Sequence, residues 1–364
     1  GYDHVEAGCK VVALYKDGEA VSSLGAGEDG AIVLDSTPFY AESGGQVGDT
    51  GTLETNGATF EVADTQKSGK ANVHYGTIQS GSISTGDSVA AKVDAERRAA
   101  IVLNHSATHL MHAALRQVLG DHVQQKGSLV APDRLRFDFS HYEAVTPEQL
   151  GKIEDIVNEQ VRRNIPAEIN LMKYDDAVAS GAIALFGEKY EDEVRVLRLG
   201  DGFSVELCGG THVNSTGDIG VFKITSEGGV AAGVRRIEAV TGKGALDWIG
   251  ANQRSLLEIA GLLKSQPEQA AEKVVQLMKS NKELEKKLAT AKHALITGEA
   301  AGQEDNVQVV AGVKVLASRV DGVDAKAMRE AIDRVKDKLQ NAIVVMGSVE
   351  NGKVRLAAGV TKNN

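Results

Sequence analysis

The 364-residue chain has only two cysteines, Cys9 and Cys208, far apart in sequence; this excludes a disulfide framework and fits a reducing compartment such as the cytoplasm. No run approaches the roughly eighteen consecutive apolar residues of a membrane-crossing helix, so no membrane partner is expected. The opening Gly-Tyr-Asp-His-Val-Glu lacks the basic start and apolar core of a secretory leader, and it lacks an initiator Met, so the chain reads as a fragment. Aromatic residues are scarce, at 4%, and basic residues are outnumbered: 40 Lys and Arg against 50 Asp and Glu leave a net charge of −10. That balance excludes attraction of nucleic acid by bulk charge. Any RNA contact must come from local patches, for which Arg134, Arg136, Arg162, Arg163, Arg235 and Arg236 are candidates, although scattered basic residues are as often a solvated face. No ATP-binding motif is found either. Gly25-Ala-Gly-Glu-Asp-Gly30 matches the dinucleotide fingerprint in letters, but a strand-like run follows it where a helix is required.

What is present is ordinary for a water-exposed globular chain: 42% apolar and 25% charged residues, with forty glycines that imply many turns. The length points to two to four domains. From Cys9 to Val93, short alternating runs are separated by Asp17-Gly18, Asp29-Gly30 and Asn56-Gly57, a hairpin pattern that predicts a small β-barrel or sandwich over residues 1–92. Residues 93–243 read as α+β. A helix runs from Asp94 to Leu119, and strands follow at Gly127–Val130 and Leu135–Ser140. A helix at Pro147–Asn164 has Thr146 as its N-cap. Further strands fall at Ala167–Met172, Val194–Leu199 and Val221–Glu227, with a short helix at Tyr174–Gly181.

Composition shifts to helix formers from Gly244. Ile249, Leu256 and Leu263 lie seven apart, Ser265-Gln-Pro-Glu268 interrupts, and Val274, Leu277, Asn281, Leu284, Leu288, Ala291 and Leu295 form a heptad seam. Residues 244–300 are therefore a helical hairpin or a coiled coil between two chains. A linker at Gly302–Asn306 leads to a small domain over 301–364 with the order β-α-β-β: a strand at Val307–Ala317, a helix at Asp324–Leu339, a strand at Ala342–Gly347, the Asn351-Gly352 turn and a strand at Lys353–Val360.

The chemistry concentrates at His105-Ser-Ala-Thr-His109 and Cys208-Gly-Gly-Thr-His212. Residues four apart on a helix point the same way, so His105 and His109 offer two imidazoles to one metal ion, and His112 shares that face as a possible third. Gly209 and Gly210 let the backbone fold tightly and bring the Cys208 thiolate to the His212 imidazole. Three imidazoles and a thiolate are a set that zinc favours. Either pair alone is more often packing than a ligand set; together, in a chain with so few cysteines, they favour a metal. The helix lacks the Glu that follows the first His in metalloproteases, which disfavours proteolysis. The segment Cys208–His212 is expected in a loop and helix start, where backbone N–H groups could hold an anion. Thr37-Pro-Phe-Tyr-Ala-Glu-Ser-Gly-Gly-Gln46 is a structured loop in which Gly44 and Gly45 permit close backbone approach and Gln46 can donate or accept. By itself that loop is either a ligand-facing element or a tight barrel corner.

These motifs, with Gln125-Lys-Gly-Ser128 and Gly233-Val-Arg-Arg-Ile-Glu-Ala-Val-Thr-Gly242, resemble the editing domain of the alanyl-tRNA synthetase family, and the whole chain is similar to the carboxy-terminal half of its bacterial type. Free-standing alanyl editing proteins share the motifs, and threonyl-tRNA synthetases carry a related domain. The resemblance implies a Zn2+ held by His105, His109, Cys208 and His212, hydrolysing the ester of seryl- or glycyl-tRNA(Ala). It implies that Thr37, Gly44, Gly45, Gln46, Gly209, Gly210, Arg235 and Arg236 bind substrate, with Gln125, Thr108 and Cys208 as catalytic candidates. Thr108 would bond the serine hydroxyl, and Gln125 and Thr37 would position the terminal ribose and the water. Two mechanisms stay open: Cys208 yields its place to a water, or the ion grips the substrate amino group while another group orders the water. The implied partners are the acceptor end of tRNA(Ala), an amino-terminal aminoacylation half, and a second copy through residues 244–364. The chain ends before the family's glycine-rich tail, so dimerisation and full tRNA affinity are expected to be weakened.

Overall fold

The structure, a computed structural model, describes residues 4–184, 192–302, 306–320, 325–350 and 353–361. The Asn351-Gly352 turn, most of the 302–306 linker, the Leu295 side chain and residues 362–364 lie outside the described residues. The chain divides into two compact units, Gly1–Asn252 and Gln253–Asn364.

The first unit begins with nine strands: β1 (Glu6–Lys16), β2 (Glu19–Val21), β3 (Ser23–Gly25), β4 (Asp29–Leu34), β5 (Gly51–Glu54), β6 (Thr59–Ser68), β7 (Ala71–Ser80), β8 (Ser82–Ser84) and β9 (Ser88–Val93). Six of them close in the order β1-β4-β7-β6-β5-β9, with β9 returning to β1, so the expected barrel is a closed one and has no free edge. Asp17 and Gly18, both at positive φ, make the turn between β1 and β2. Along β1 the inward set changes phase, from Cys9 and Val11 to Leu14, because a bulge between Val11 and Ala13 inserts one residue and leaves Val12 outside. Val11, Leu14, Ile32, Leu53, Phe60 and Ile78 fill the interior.

Helix α1 (Ala95–Leu119) follows, with the Asp94 side chain accepting from the N–H of Arg97 at its N-terminus. Strands β10 (Gln125–Val130) and β11 (Leu135–Ser140), helix α2 (Pro147–Arg163), β12 (Glu168–Lys173), helix α3 (Tyr174–Ala179), β13 (Glu193–Leu199), β14 (Ser204–Leu207), β15 (Phe222–Ala231) and β16 (Val234–Thr241) complete the α+β part. Thr146 and Gln149 form a reciprocal capping box on α2, and Asn164 ends it in the left-handed region. The antiparallel sheet β10-β11-β16-β15 contributes Phe137, Phe139, Ile237 and Phe222 to one core with Leu110, Met111 and Leu115 of α1 and Ile153, Val157 and Val161 of α2. Strands β12-β13-β14 form a separate small sheet.

A buried ion pair ties barrel to helix. Arg98 on α1, 5% exposed, grips Asp49, 1% exposed, through Nε at 2.9 Å and through Nη2, and its Nη2 also donates to the Pro38 carbonyl. Asp49 in turn accepts from the N–H of Tyr40, so one pair fixes both ends of the loop 37–49 on α1.

Helices α4 (Gly242–Leu262) and α5 (Ala270–Gly302) follow. Within the second unit, Leu256 on α4 and Leu277, Leu284 and Leu288 on α5 are all exposed, and Asn281 bonds Glu285 along its own helix. The last part holds β17 (Gln308–Val310), β18 (Val313–Arg319), helix α6 (Ala325–Leu339), β19 (Ala342–Glu350) and β20 (Lys353–Val360) in the order β17-β18-β19-β20. This corrects the expected β-α-β-β: Ala311 and Gly312, both at positive φ, break the first strand into a hairpin. No helix among the described residues is long and apolar enough to cross a membrane.

Candidate metal centre

Two distant segments meet at the buried face of α1. His105 and His109 lie one turn apart on it, and the chain leaving β14 runs past them as Cys208–Val213. The donor atoms of His105, His109, Cys208 and His212 all lie within 4.8 Å of one another. The Cys208 Sγ is 3.5 Å from His105 Nε2 and 3.2 Å from His212 Nε2. A tetrahedron with ordinary Zn–S and Zn–N bond lengths has a mixed edge of about 3.6 Å, close to these two sulfur–nitrogen distances.

Each imidazole is held from behind, which turns its Nε2 inward. Gln46 accepts from the N–H of Thr211 at 3.0 Å, which fixes its amide so that Oε1 faces His105; His105 Nδ1 therefore donates to it, at 2.7 Å. His109 Nδ1 donates to Glu206 Oε2 at 2.7 Å. Ser106 Oγ, which accepts from the N–H of Val213, meets His212 Nδ1 at 3.3 Å. Outer partners of this kind select the tautomer and the ring orientation of metal-binding histidines. His109 Nε2, buried, has no hydrogen-bond partner among the described residues, as befits a ligand atom.

Gly210 is the glycine that the site requires. A Cβ there would lie 2.0 Å from His105 Cε1 and 2.9 Å from Gln46 Oε1, whereas one on Gly209 would meet nothing within 4 Å. The Gly210 N–H donates to the Cys208 sulfur at 3.4 Å.

The electrostatics favour positive charge at the centre. Burial alone would raise the Cys208 thiol, but the imidazoles of His105, His212 and His109 outweigh it and hold it well below its ordinary value. Burial would likewise raise Glu206, but His109 and His112 bring it down to about 2. Burial would lower His109, yet Glu206 and Cys208 push it up to about 10; His212 follows burial down to about 3, against the pull of Cys208. Two anions thus flank the rings, and neutral imidazoles with a thiolate are what a divalent ion binds.

The other sequence candidates separate. His112 is not a fourth imidazole of the cluster; its Nδ1 donates to Glu206 Oε1 at 2.9 Å, because a step of three along the helix turns it off the ligand line. Gln46 has its amide committed to His105 and Thr211 and is fully buried. Thr37 bonds His74 Nε2 at 2.8 Å inside the barrel loop. Gly44 and Gly45, both at positive φ, form the turn that docks this loop on β10, where the N–H of Val130 donates to the Gly45 carbonyl at 2.7 Å. Thr108 Oγ1 donates to the Asn104 carbonyl of its own helix at 2.8 Å. Gln125 lines a small cavity together with His112. Arg235 and Arg236 are paired with Glu227 and Asp138, at 2.6 and 2.7 Å.

Cys208–Val213 is irregular, and the next helical turn begins only at Thr216. Four of its six N–H groups are taken: Cys208 by the Arg195 carbonyl, Gly210 by the sulfur, Thr211 by Gln46 and Val213 by Ser106. That corrects the expected helix start in this segment. Sequence reasoning missed Glu206 and Ser106. The one legible sign of Glu206 was a carboxylate flanked by Val205 and Leu207, two residues before Cys208.

Comparison with known proteins places this geometry in context. Residues 1–97 match the family model described as tRNA synthetases class II (A), and residues 194–238 match that of the threonyl and alanyl tRNA synthetase second additional domain. The chain is 55% identical over 362 residues to the alanine–tRNA ligase of Stenotrophomonas maltophilia, covering 99% of this chain and 41% of that protein. It is 54% identical over 363 residues to that of Saccharophagus degradans, covering 100% of this chain and 42% of the relative. The Pseudomonas fluorescens ligase is 54% identical over 365 residues with the same coverage. The chain thus spans about two fifths of the length of the curated relatives it matches.

Proposed function

We propose that this chain, related along its whole length to the alanyl-tRNA synthetase family, carries a hydrolytic proofreading site that cleaves the ester of seryl- or glycyl-tRNA(Ala). The observation that supports it best is the convergence of His105, His109, Cys208 and His212, each ring backed by its own buried partner. The need for such a site follows from size. Glycine is one methyl smaller than alanine and serine one hydroxyl larger, differences worth only about 1–3 kcal/mol in a binding pocket, so a second, hydrolytic step is the known remedy.

The four residues would hold a Zn2+, which when bound supplies positive charge for polarising an ester or orienting an amino group. The chain's own residues do the rest. Gln46, Glu206 and Ser106 hold the rings in one tautomer, and Gly210 lets the Cys208 loop close over His105. Gln125 lines the cavity beside His112, a position from which to orient the ester or an attacking water. The carboxylate of Glu206 is committed to His109 and His112, so the proton of the attacking water passes to the departing ribose oxygen as the ester bond breaks, with the neighbouring ribose hydroxyl as relay. Charging tRNA is not expected of this chain by itself. Residues 244–364 are proposed as the part through which copies associate, since Leu277, Leu284 and Leu288 of the α5 seam stand exposed.

One observation favours a second reading, a structural zinc in a tRNA-binding appendage: four protein donors close a zinc site, whereas catalytic zinc keeps a position open. The deciding experiment is deacylation of seryl-tRNA(Ala) and of correctly charged alanyl-tRNA(Ala) by the purified chain, with and without a chelator. Release of serine with alanine spared, lost on chelation, is the expected result. A folded, zinc-loaded chain that binds tRNA and releases neither amino acid supports the appendage instead.

A further inference from the structure

The segment that brings Cys208 to the helix histidines leaves the small sheet beside one residue of β13. The β13–β14 ladder runs from Leu199 opposite Ser204 to Val196 opposite Leu207. One more rung follows, in which the N–H of Cys208 donates to the Arg195 carbonyl at 3.0 Å. Beyond it come Gly209 and Gly210, and two glycines in a row give the backbone its widest choice of paths. The half-buried Arg195 side chain follows the chain past this point, and its Nη1 donates to the Gly210 carbonyl. Gly210 is buried, and a buried carbonyl is costly to leave without a donor; a guanidinium supplies a strong, charge-assisted one.

That bond has a counterpart on the same peptide unit. The N–H of Thr211, joined to the Gly210 carbonyl in one planar trans peptide, donates to Gln46 Oε1 at 3.0 Å, and the same oxygen accepts from His105 Nδ1 at 2.7 Å. In a trans peptide the carbonyl oxygen and the N–H point in opposite directions. Arg195 and Gln46 therefore hold one rigid plane from its two edges. Cys208 lies two residues before Gly210 and His212 two residues after it, so a shift of this plane moves two candidate ligands at once. The loop is also the wetter wall of the centre: Gly209 is exposed and Cys208 half-buried, whereas His105 and His109 are buried. Water at that wall is the natural competitor for the Gly210 carbonyl.

We propose that Arg195 is a positioning residue for the metal loop: by holding the Gly210–Thr211 peptide against Gln46 it keeps Cys208 and His212 in place for the ion, and so sets metal affinity from outside the ligand set. The proposal rests on the metal centre put forward above. A guanidinium has no lone pair to offer a metal, so the effect runs entirely through the loop.

The test is Arg195→Met in the full chain, which removes the donor and the charge while leaving the backbone rung to Cys208. In the metal-free variant the Gly210 carbonyl turns to water and the glycine loop relaxes, so an incoming ion has to reorder it. Zinc affinity, read by competition against a chromophoric chelator, is expected to fall about tenfold to a hundredfold, as when an outer partner of a metal ligand is lost. The thermal midpoint of the metal-free variant is expected to match that of the metal-free parent, and the rise in midpoint on adding zinc to shrink. Arg195→Lys keeps one charged donor of similar reach and is expected to recover most of the affinity. Parental zinc affinity in the Met variant overturns the proposal, as does a Lys variant no better than Met. A Met variant that does not fold, or whose metal-free midpoint falls as far as its zinc-loaded one, also overturns it, because Arg195 then holds the fold at large. A parent chain that binds no zinc instead sinks the metal centre itself and this proposal with it.

Discussion

Glu206→Gln probes the architecture behind the metal centre at one atom. The carboxylate is 2% exposed and accepts two imidazole N–H groups, His109 at 2.7 Å and His112 at 2.9 Å. An amide of the same shape keeps one acceptor and turns the other into a donor, so one of the two rings must face N–H with N–H or change tautomer. If His109 changes, its Nε2 carries the proton and no longer serves a metal; if His112 changes, the amide still faces His109 with its one acceptor but without its charge. Either way a full negative charge is removed from beside His109, which that charge pushes up to about 10. Outer partners of metal-binding histidines are typically worth 10–100-fold in metal affinity, about 1.4–2.7 kcal/mol. A competition titration against a chromophoric zinc chelator at pH 7 reads this directly, with far-ultraviolet circular dichroism to confirm the fold. Zinc affinity equal to that of the parent would refute the claim that Glu206 orients His109 for a metal.

Three further outcomes are expected. Gly210→Ala places a methyl 2.0 Å from His105 Cε1, and since Cys208 and Gln46 hold both sides, zinc stoichiometry should drop well below one while Gly209→Ala, with open space around it, stays near the parent; zinc analysis of the two variants checks this. Arg98→Ala leaves Asp49 buried without its cation and should cost about 3–5 kcal/mol of stability in denaturant unfolding, and an unchanged midpoint would show that the junction between barrel and α1 does not depend on the pair. Zinc binding should release protons: His109, raised to about 10 in the metal-free chain, is charged at neutral pH and must lose its proton to ligate, so apparent affinity rises with pH up to about 10, as calorimetry in buffers of different ionisation enthalpy can follow. The same shifts give the metal-free fold its own profile. The contribution of His109 is complete below its ordinary value of 6.5 and fades as pH rises toward about 10; that of Glu206 is complete above 4.5 and fades as pH falls toward about 2.

Much of this was local and therefore legible. The α1 helix, its Asp94 cap and the paired spacing of His105 and His109 follow from a period of 3.6 residues, and the barrel strands follow from Asp-Gly and Asn-Gly turns between alternating runs. The four metal candidates could be chosen because residue type and spacing within each motif constrain side-chain direction over a few residues. What the order of residues could not fix was anything set by contact across the chain. His112 and His109 differ by one helical step of three, yet that His109 joins the donor cluster while His112 meets only Glu206 depends on where β14 and the segment after it pass, about a hundred residues later. Gln46 could be placed in a glycine-rich loop, but that the loop docks on β10 and delivers its amide to His105 and Thr211 could not be read from that loop. Arg235 and Arg236 read as free cations until β16 paired with β11 and β15 and brought Asp138 and Glu227 alongside. The sequence by itself determined the elements and the donor set, since both rest on periodicity and chemical type. Only the tertiary structure decided which buried polar group partners which, because burial makes every such group find a partner and only the packed chain says where that partner lies.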